Sequence, residues 1–345
     1  MKITIKDVAR EANVATSTVS RVLANSDKIS DKTKERVNAA IKKLNYTPNI
    51  IARGLANNKT RILAVILPKE AENIFANPFF IQAMKGISVC AQKEDYYIMY
   101  GFNQDHDNEM EWLKKFINSN LVDGICLLKV KEHDEVIEYL KEIEFPFVVI
   151  GRPDNIENVL WVDNDNVKAM YDLVNKLISY GHEKIGFIGA KSNLNVSRDR
   201  LEGYKKALQD NNIEIDENLI YMANDFNKKD GEIAVNKILN QSQPTAIVTT
   251  DDLLAFGVIE VLNSRGLKDI SIVGFNNIQI SEYQKPSLSS VDINSEELGY
   301  YATSLLINKL EGKEIKLNKY IIETKLIERE SIKIIKWYYA TAFIN

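Results

Sequence analysis

From Arg61 onward the sequence alternates short apolar runs with helical stretches, and that alternation admits few folds. ILAVIL (62–67) reads as a buried strand. A helix follows around Phe80 to Lys93, then YYIMYG (96–101), a helix near Asn108 to Asn118, GICLL (124–128), a helix near Glu135 to Glu142 and FVVIG (147–151). A second round opens at WVDND (161–165). It runs through a helix over 167–180, KIGFIG (184–189), a helix from Arg200 to Asn211 and a strand near 219–222. A helix over 230–239, AIVTT (246–250), a helix over 253–265 and SIVGF (271–275) come next. SVDI (290–293), a helix from Glu296 to Leu310 and KYIIETKLI (319–327) close it. Strand–helix–strand repetition of this kind predicts parallel sheets with right-handed crossovers, here two doubly wound α/β lobes.

The first sixty residues are different. They carry 12 Lys and Arg against 5 Asp and Glu, a net of +7, while the remainder carries 32 against 43, a net of −11. A basic head on an acidic body points to a nucleic-acid-binding module joined to one that binds something else. Within the head, TIKDVAREANVATSTVSRVL (4–23) predicts two short helices. Thr4 and Asp7 have capping-box spacing. Val8, Ala9 and Ala12 form one small apolar face, and Asn13 suits the left-handed turn that ends the first helix. The second helix, from near Ala15, turns Val19, Val22 and Leu23 inward and Thr16, Ser17, Ser20 and Arg21 outward. Small inward residues let two helices cross closely, and hydroxyls with one Arg suit base edges and phosphates. A third helix, capped by Ser30 and running from Asp31 to about Asn45, places Val37, Ala40, Ile41 and Leu44 inward. The segment IIARGLAN (50–57), with Asn49 able to cap it, is too short to be a stable helix alone, and Gly54 weakens it further. Composition by itself also fits a plain linker there.

These stretches, TIKDVAREANVATSTVSRVLAN, ISDKTKERVNAAIKKLNYTPN and ARGLA, resemble the LacI/GalR repressors, and the resemblance continues to about Glu330. It implies an all-α helix-turn-helix domain (1–46), a hinge helix and linker (47–60) and a two-lobed periplasmic-binding-protein-like core (61–330) that binds effector and dimerises. It gives no role to the C-terminal tail (331–345), of which IIKWYYATAFIN (334–345) is apolar and aromatic. The last segments are implied to cross back and complete the first lobe. In this family two hinge helices of a homodimer pair in the minor groove, with a Leu wedged into a base step. Leu55 matches that Leu, and Ala52 the small residue that permits close pairing. The implied DNA-contacting set is Thr4, Thr16, Ser17, Thr18, Ser20, Arg21, Asn25, Asn49, Ala52, Arg53 and Leu55, on a palindromic operator in double-stranded DNA. Ala15 stands where these repressors usually have a Ser N-cap, a loss on the order of 1 kcal/mol. Thr16 is the alternative cap, one residue later.

Ligands of parallel α/β sheets bind beyond the carboxyl ends of the strands. The candidates there are Phe79 and Phe80 of NPFF, Arg152 after FVVIG, Phe226, and Arg198 and Arg200 of SRDRLEGY. TTDDLLAFG adds Asp251 and Asp252, and GFNN adds Asn276 and Asn277. Arg200 matches the family's R-x-x-G-Y/F element, and Asp252 matches a family Asp, read as partly a helix cap. Asn276 and Asn277 replace an Asp pair common in the family. An amide both donates and accepts, which suits a polyol. The effector set is therefore Phe79, Phe80, Arg152, Arg200, Phe226, Asp252, Asn276 and Asn277. The NPFF, SRDRLEGY and GFNN elements look most like the maltose-operon repressors of Gram-positive bacteria, which implies a small sugar effector such as maltose or a maltodextrin.

No G-x-S-x-G, P-loop, H-E-x-x-H or G-x-G-x-x-G occurs, so no enzyme activity, metal or cofactor is expected. His106 in QDHDNE reads as a solvated loop, and Cys90 and Cys126 as buried reduced thiols. The N-terminus enters the helical motif at once, and no apolar run is long enough to span a bilayer, so a cytoplasmic protein without membrane contact is expected. The alternatives are a catabolite-control-like regulator needing a phosphoprotein corepressor and, in a different class, a solute-binding receptor. The basic head argues against the second.

Overall fold

The computed structural model describes residues 3–23, 26–46, 59–67, 77–102 and 109–335. The chain divides into two compact units, Met1–Thr60 and Arg61–Asn345.

In the head, α1 (Ile5–Glu11), α2 (Thr16–Leu23) and α3 (Asp31–Leu44) surround a small core. Val8, Ala9, Ala12, Val19, Val22, Val37 and Ala40 are buried, with Leu23, Ile41 and Leu44 packed against them. The side chain of Asp7 reaches back to the Thr4 amide at 2.9 Å and also accepts from the Thr4 hydroxyl at 2.7 Å. Asn13 and Asn45 adopt left-handed φ values of 50° and 47°, a conformation Asn tolerates better than most residues. Ala15 holds the N-cap position as expected, whereas the alternative cap Thr16 and the expected side-chain cap of Ser30 are not found. Thr16 is the first residue of α2 and Ala15 holds the position before it, its carbonyl accepting from Thr18 and Val19. Ser30 precedes α3, but its hydroxyl pairs with that of Thr33 at 3.0 Å rather than with a helix amide.

In the larger unit, lobe 1 has β1 (Ile62–Leu67), α4 (Pro78–Lys93), β2 (Tyr97–Phe102), α5 (Glu109–Asn118), β3 (Gly124–Leu127), α6 (Glu135–Glu142), β4 (Phe147–Ile150) and β5 (Leu160–Asn164). Lobe 2 begins with α7 (Asn166–Ser179), β6 (Ile185–Ala190), α8 (Asn195–Asp210), β7 (Ile220–Ala223) and α9 (Lys228–Gln241). It continues with β8 (Ala246–Thr249), α10 (Asp252–Ser264), β9 (Ser271–Phe275) and β10 (Ser289–Asp292). The chain then returns to lobe 1 as α11 (Ser295–Leu310) and β11 (Lys319–Ile322), and β12 (Lys325–Ile327) joins lobe 2. The sheet orders are β11-β5-β4-β3-β1-β2 and β12-β10-β9-β8-β6-β7. Every pairing is parallel except β10 with β12.

KYIIETKLI, which reads as one apolar run, is thus two strands in two sheets. The break falls at Glu323–Thr324, and only Ile322 of the first half is buried. The chain therefore passes between lobes three times, near 165, 294 and 323. Asn164 binds these passages together: its amide nitrogen donates to Ile293 O at 3.0 Å and to Ile322 O at 2.9 Å. Within lobe 1, α11 lies against α4 at backbone contact distance. A Cβ added to Gly86 would come within 1.9 Å of Glu296 O, so only glycine permits this approach.

Helix α8 starts at Asn195, five residues ahead of the expected Arg200. Its first turns bury Asn195, Ser197, Asp199 and Arg200 rather than apolar side chains, so hydrophobic periodicity does not mark them. Cys90 and Cys126 are free thiols, buried in lobe 1. Among the described residues no helix is long and apolar enough to cross a membrane, and no cluster of metal-ligating side chains occurs.

Candidate functional site

In the head, Thr4, Thr16, Ser17, Ser20 and Arg21 are exposed and Thr18 is half-buried. Helix α2 thus presents one polar face while Val19 and Val22 hold the other against α1 and α3. Asn25, Asn49, Ala52, Arg53 and Leu55, with the proposed hinge helix, lie outside the described residues, as do His106 and the tail beyond Ile335.

In the larger unit the carboxyl ends of the two sheets face a cavity of about 270 Å³. Lobe 1 contributes Asn77, Phe79, Phe80, Leu128 and Ile150. Lobe 2 contributes Asn195, Arg200, Phe226, Thr250, Asp251 and Asn276. Each is placed by a strand end or a helix start. Asn77 caps α4, accepting from Phe79 N at 3.1 Å, and sets the Phe79 and Phe80 rings edge to face with centroids 5.2 Å apart. Asn276 directly follows β9 at φ 95°, and Asn277 comes next at φ 47°. Two successive positive-φ positions explain why short amide side chains stand there.

Arg200 is 5% exposed. Its Nε donates to Asn166 Oδ1 at 2.9 Å and its Nη1 to Thr250 O at 2.6 Å, and the guanidinium lies 4.2 Å from the Phe275 ring centroid. Burial lowers its pKa to about 10, while Asp163, Asp251, Asp252 and Asp199 oppose that fall. Burial in turn pushes Asp163 up to about 6. Burial and the neighbouring Asp252 charge push Asp251 up to about 7. The cavity thus sets one buried cation among carboxyl groups that ionise near neutrality.

Three expected effector residues fall outside the lining. Asp252 is fully buried behind it, accepting from Ile278 N at 2.8 Å and from the Ser281 and Ser290 hydroxyls at 2.7 and 2.6 Å. It fastens α10 to the β9–β10 segment and is not the helix cap. That role belongs to Asp251, which accepts from Leu253 N at 2.7 Å and from Asn276 Nδ2 at 2.8 Å. Asn277 turns away, donating to Asp292 Oδ2 at 3.0 Å and accepting from Arg329 at 2.8 Å. Arg152 is held by a forked pair to Asp199, with two contacts of 2.8 Å. Phe79, Phe80, Arg200, Phe226 and Asn276 do line the cavity.

Sequence reasoning passed over Asn77, Asn195 and Thr250. Asn77 had a readable signal, a helix cap just before Pro78, and Thr250 ends AIVTT, a strand whose carboxyl end is where ligands are expected; Asn195 sits in a stretch whose polar residues look like surface. His182 is fully buried, with Nδ1 at 3.1 Å from Thr245 Oγ1 and Nε2 at 3.0 Å from Lys333 O. It anchors the segment after β12.

Residues 4–49 match the bacterial regulatory protein lacI family, and residues 174–332 match a periplasmic binding protein-like domain. The HTH-type transcriptional regulator MalR of Streptococcus pneumoniae is 35% identical over 335 residues, 96% of this chain and 100% of that protein. The structure of a complex of the transcriptional regulator CelR with cellobiose superposes with a TM-score of 0.75 at 29% identity, covering 96% of this chain and all of that one. The structure of a Staphylococcus "probable maltose operon transcriptional repressor malR" does so with a TM-score of 0.72 at 26% identity, covering 79% of this chain and 98% of that one. With a lacI-type head, a periplasmic-binding-like core and relatives matched end to end, the chain belongs to the lacI family of bacterial regulatory proteins.

Proposed function

We propose that the protein is a homodimeric transcriptional repressor of sugar-utilisation genes. It binds a palindromic operator through α2 and releases it when an α-glucoside such as maltose or a short maltodextrin fills the cavity. The carrying observation is the make-up of that cavity. Aromatic rings (Phe79, Phe80 and Phe226) share it with planar polar groups (Arg200, Asp251 and Asn276). Rings stack on the C–H faces of a pyranose, while guanidinium, carboxyl and amide bridge its paired hydroxyls. The cellobiose complex of one relative and the maltose-operon name of another support the sugar class. Allostery here means that effector and operator favour different arrangements of the dimer.

Calorimetry of the full-length protein with maltose and maltotriose, followed by an operator titration with and without the sugar, tests this reading. Saturable binding that lowers operator affinity is expected. Absence of binding at millimolar sugar removes the α-glucoside. The DNA side makes its own prediction. Affinity for the operator is expected to fall steeply with salt, because the +7 head displaces counterions from phosphates. Arg21→Ala is expected to cost about 1–3 kcal/mol of specific binding through a lost bidentate base contact. Quantitative gel shifts at several salt concentrations check both, and a flat salt response would refute the electrostatic part.

A further inference from the structure

The two lobes touch directly at one edge of the cavity. The segment after β3 meets the loop before α8, where Glu132 N donates to Asn193 O at 2.9 Å. Beside it, two charged pairs cross the gap: Arg152 with Asp199, and Asp154 Oδ1 with Arg198 Nη2 at 2.9 Å. Asn195 stands between this clasp and the cavity, and it is 2% exposed. Its Nδ2 is fully used in the clasp, donating to Arg152 O at 3.0 Å and to Asp154 Oδ1 at 3.2 Å. Its Oδ1 is buried and has no hydrogen-bond partner among the described residues. The amide cannot be turned around, because its oxygen would then face a carbonyl and a carboxylate, two acceptors. Thr250 Oγ1, also buried, unpartnered and in a cavity-lining residue, can donate or accept and so imposes no polarity. Asn195 Oδ1 can only accept. A buried acceptor without a donor is costly, and native structures rarely leave one without a reason.

We propose that Asn195 is a specificity-determining residue of the cavity, accepting a hydrogen bond from one hydroxyl of the effector and tying that recognition to the interlobe clasp through its amide nitrogen. The inference rests on the sugar reading above and adds a residue, a polarity and a coupling to it. An effector hydroxyl at this position supplies the missing donor. The same side chain then carries the contact to Arg152 and Asp154, so binding and lobe contact reinforce each other.

The test uses the full-length protein, maltose and its monodeoxy derivatives, with calorimetry as readout. One monodeoxy sugar is expected to bind the wild type at least tenfold more weakly than maltose. Asn195→Ala is expected to lose at least tenfold in maltose affinity and to no longer distinguish that sugar from maltose. Asn195→Asp keeps the acceptor but sets a second oxygen against Arg152 O and Asp154, so it is expected to keep the distinction while losing the clasp contact and several-fold of maltose affinity. Asp154→Ala, outside the cavity lining, is expected to weaken maltose several-fold in the wild type and not in the Asn195→Ala background. Wild-type discrimination surviving in Asn195→Ala overturns the hydroxyl contact, and additive effects of Asp154→Ala and Asn195→Ala overturn the coupling. A wild type that binds none of maltose, maltotriose, cellobiose and glucose overturns the sugar reading, and this inference with it.

Discussion

Arg200→Ala is expected to destabilise the core by about 2 kcal/mol at pH 5.5 and by 4 kcal/mol or more at pH 8, and to abolish the response to effector. The lower figure follows from what the side chain does irrespective of charge. It fills space against Phe275 and donates to Asn166 and Thr250 O, and removing it leaves buried acceptors unpaired at about 1–3 kcal/mol each. The pH dependence follows from its neighbours. Asp163 and Asp251 have folded pKa values of about 6 and about 7, above the ordinary carboxylate value. Between roughly pH 4 and 7 the folded state therefore holds more protons than the unfolded state, and these groups make stability fall as pH rises across that window. The Arg200 charge lowers both values. Without it they rise further, the falling limb extends to higher pH, and the gap between variant and wild type widens toward pH 8. Breaking a buried charge arrangement by removing one partner costs about 3–5 kcal/mol, which sets the alkaline figure. Urea unfolding at the two pH values measures this directly. A difference independent of pH would show that the carboxyl groups do not sense Arg200.

Arg200 was legible from its motif, and so were most strands and helices, because long apolar runs and 3.6-residue periodicity mark elements buried against one another. The interlobe residues were harder to read. Asn195, Asp199 and Asn166 are polar and buried, which no hydrophobic pattern signals, and their partners lie in sequence as far away as Arg152 is from Asp199. The same blindness explains the exchange of roles between Asp251 and Asp252. Adjacent identical residues at a helix start give no clue which one turns toward the cavity and which one fastens the helix. Only the positions of Ser281, Ser290 and Ile278 behind Asp252 decide it. Lys319 to Ile327 failed for a different reason. A strand pattern records alternation and apolarity, but not the sheet that receives it, so two short strands in two lobes look like one.

Asn164→Asp is expected to be the most damaging isosteric change in the core, costing about 3 kcal/mol or more at pH 7. Asn164 is 5% exposed, and both its amide hydrogens are committed to Ile293 O and Ile322 O, the carbonyls of the second and third passages between lobes. A carboxylate there would face two carbonyl oxygens with no hydrogen to offer. The group would escape by keeping its proton, but one proton serves one carbonyl, and the other stays buried and unpaired at about 1–3 kcal/mol. Burial and the facing carbonyls raise the folded pKa of such an Asp above its unfolded value. The folded state then retains a proton that the unfolded state loses, so the penalty grows as pH rises above the ordinary carboxylate range. The defect should be smallest near pH 4.5 and largest near pH 8. Asn164→Ala, which leaves both carbonyls unpaired but brings no charge, should cost about 2–4 kcal/mol at every pH. Hydrogen exchange should locate the damage as well as size it, with amides of 293–298 and 322–326 exchanging faster while those of β8 and β9 keep their protection. Uniform acceleration throughout both lobes would mean that the substitution lowers global stability without loosening the passages in particular, and that Asn164 is not their local tie.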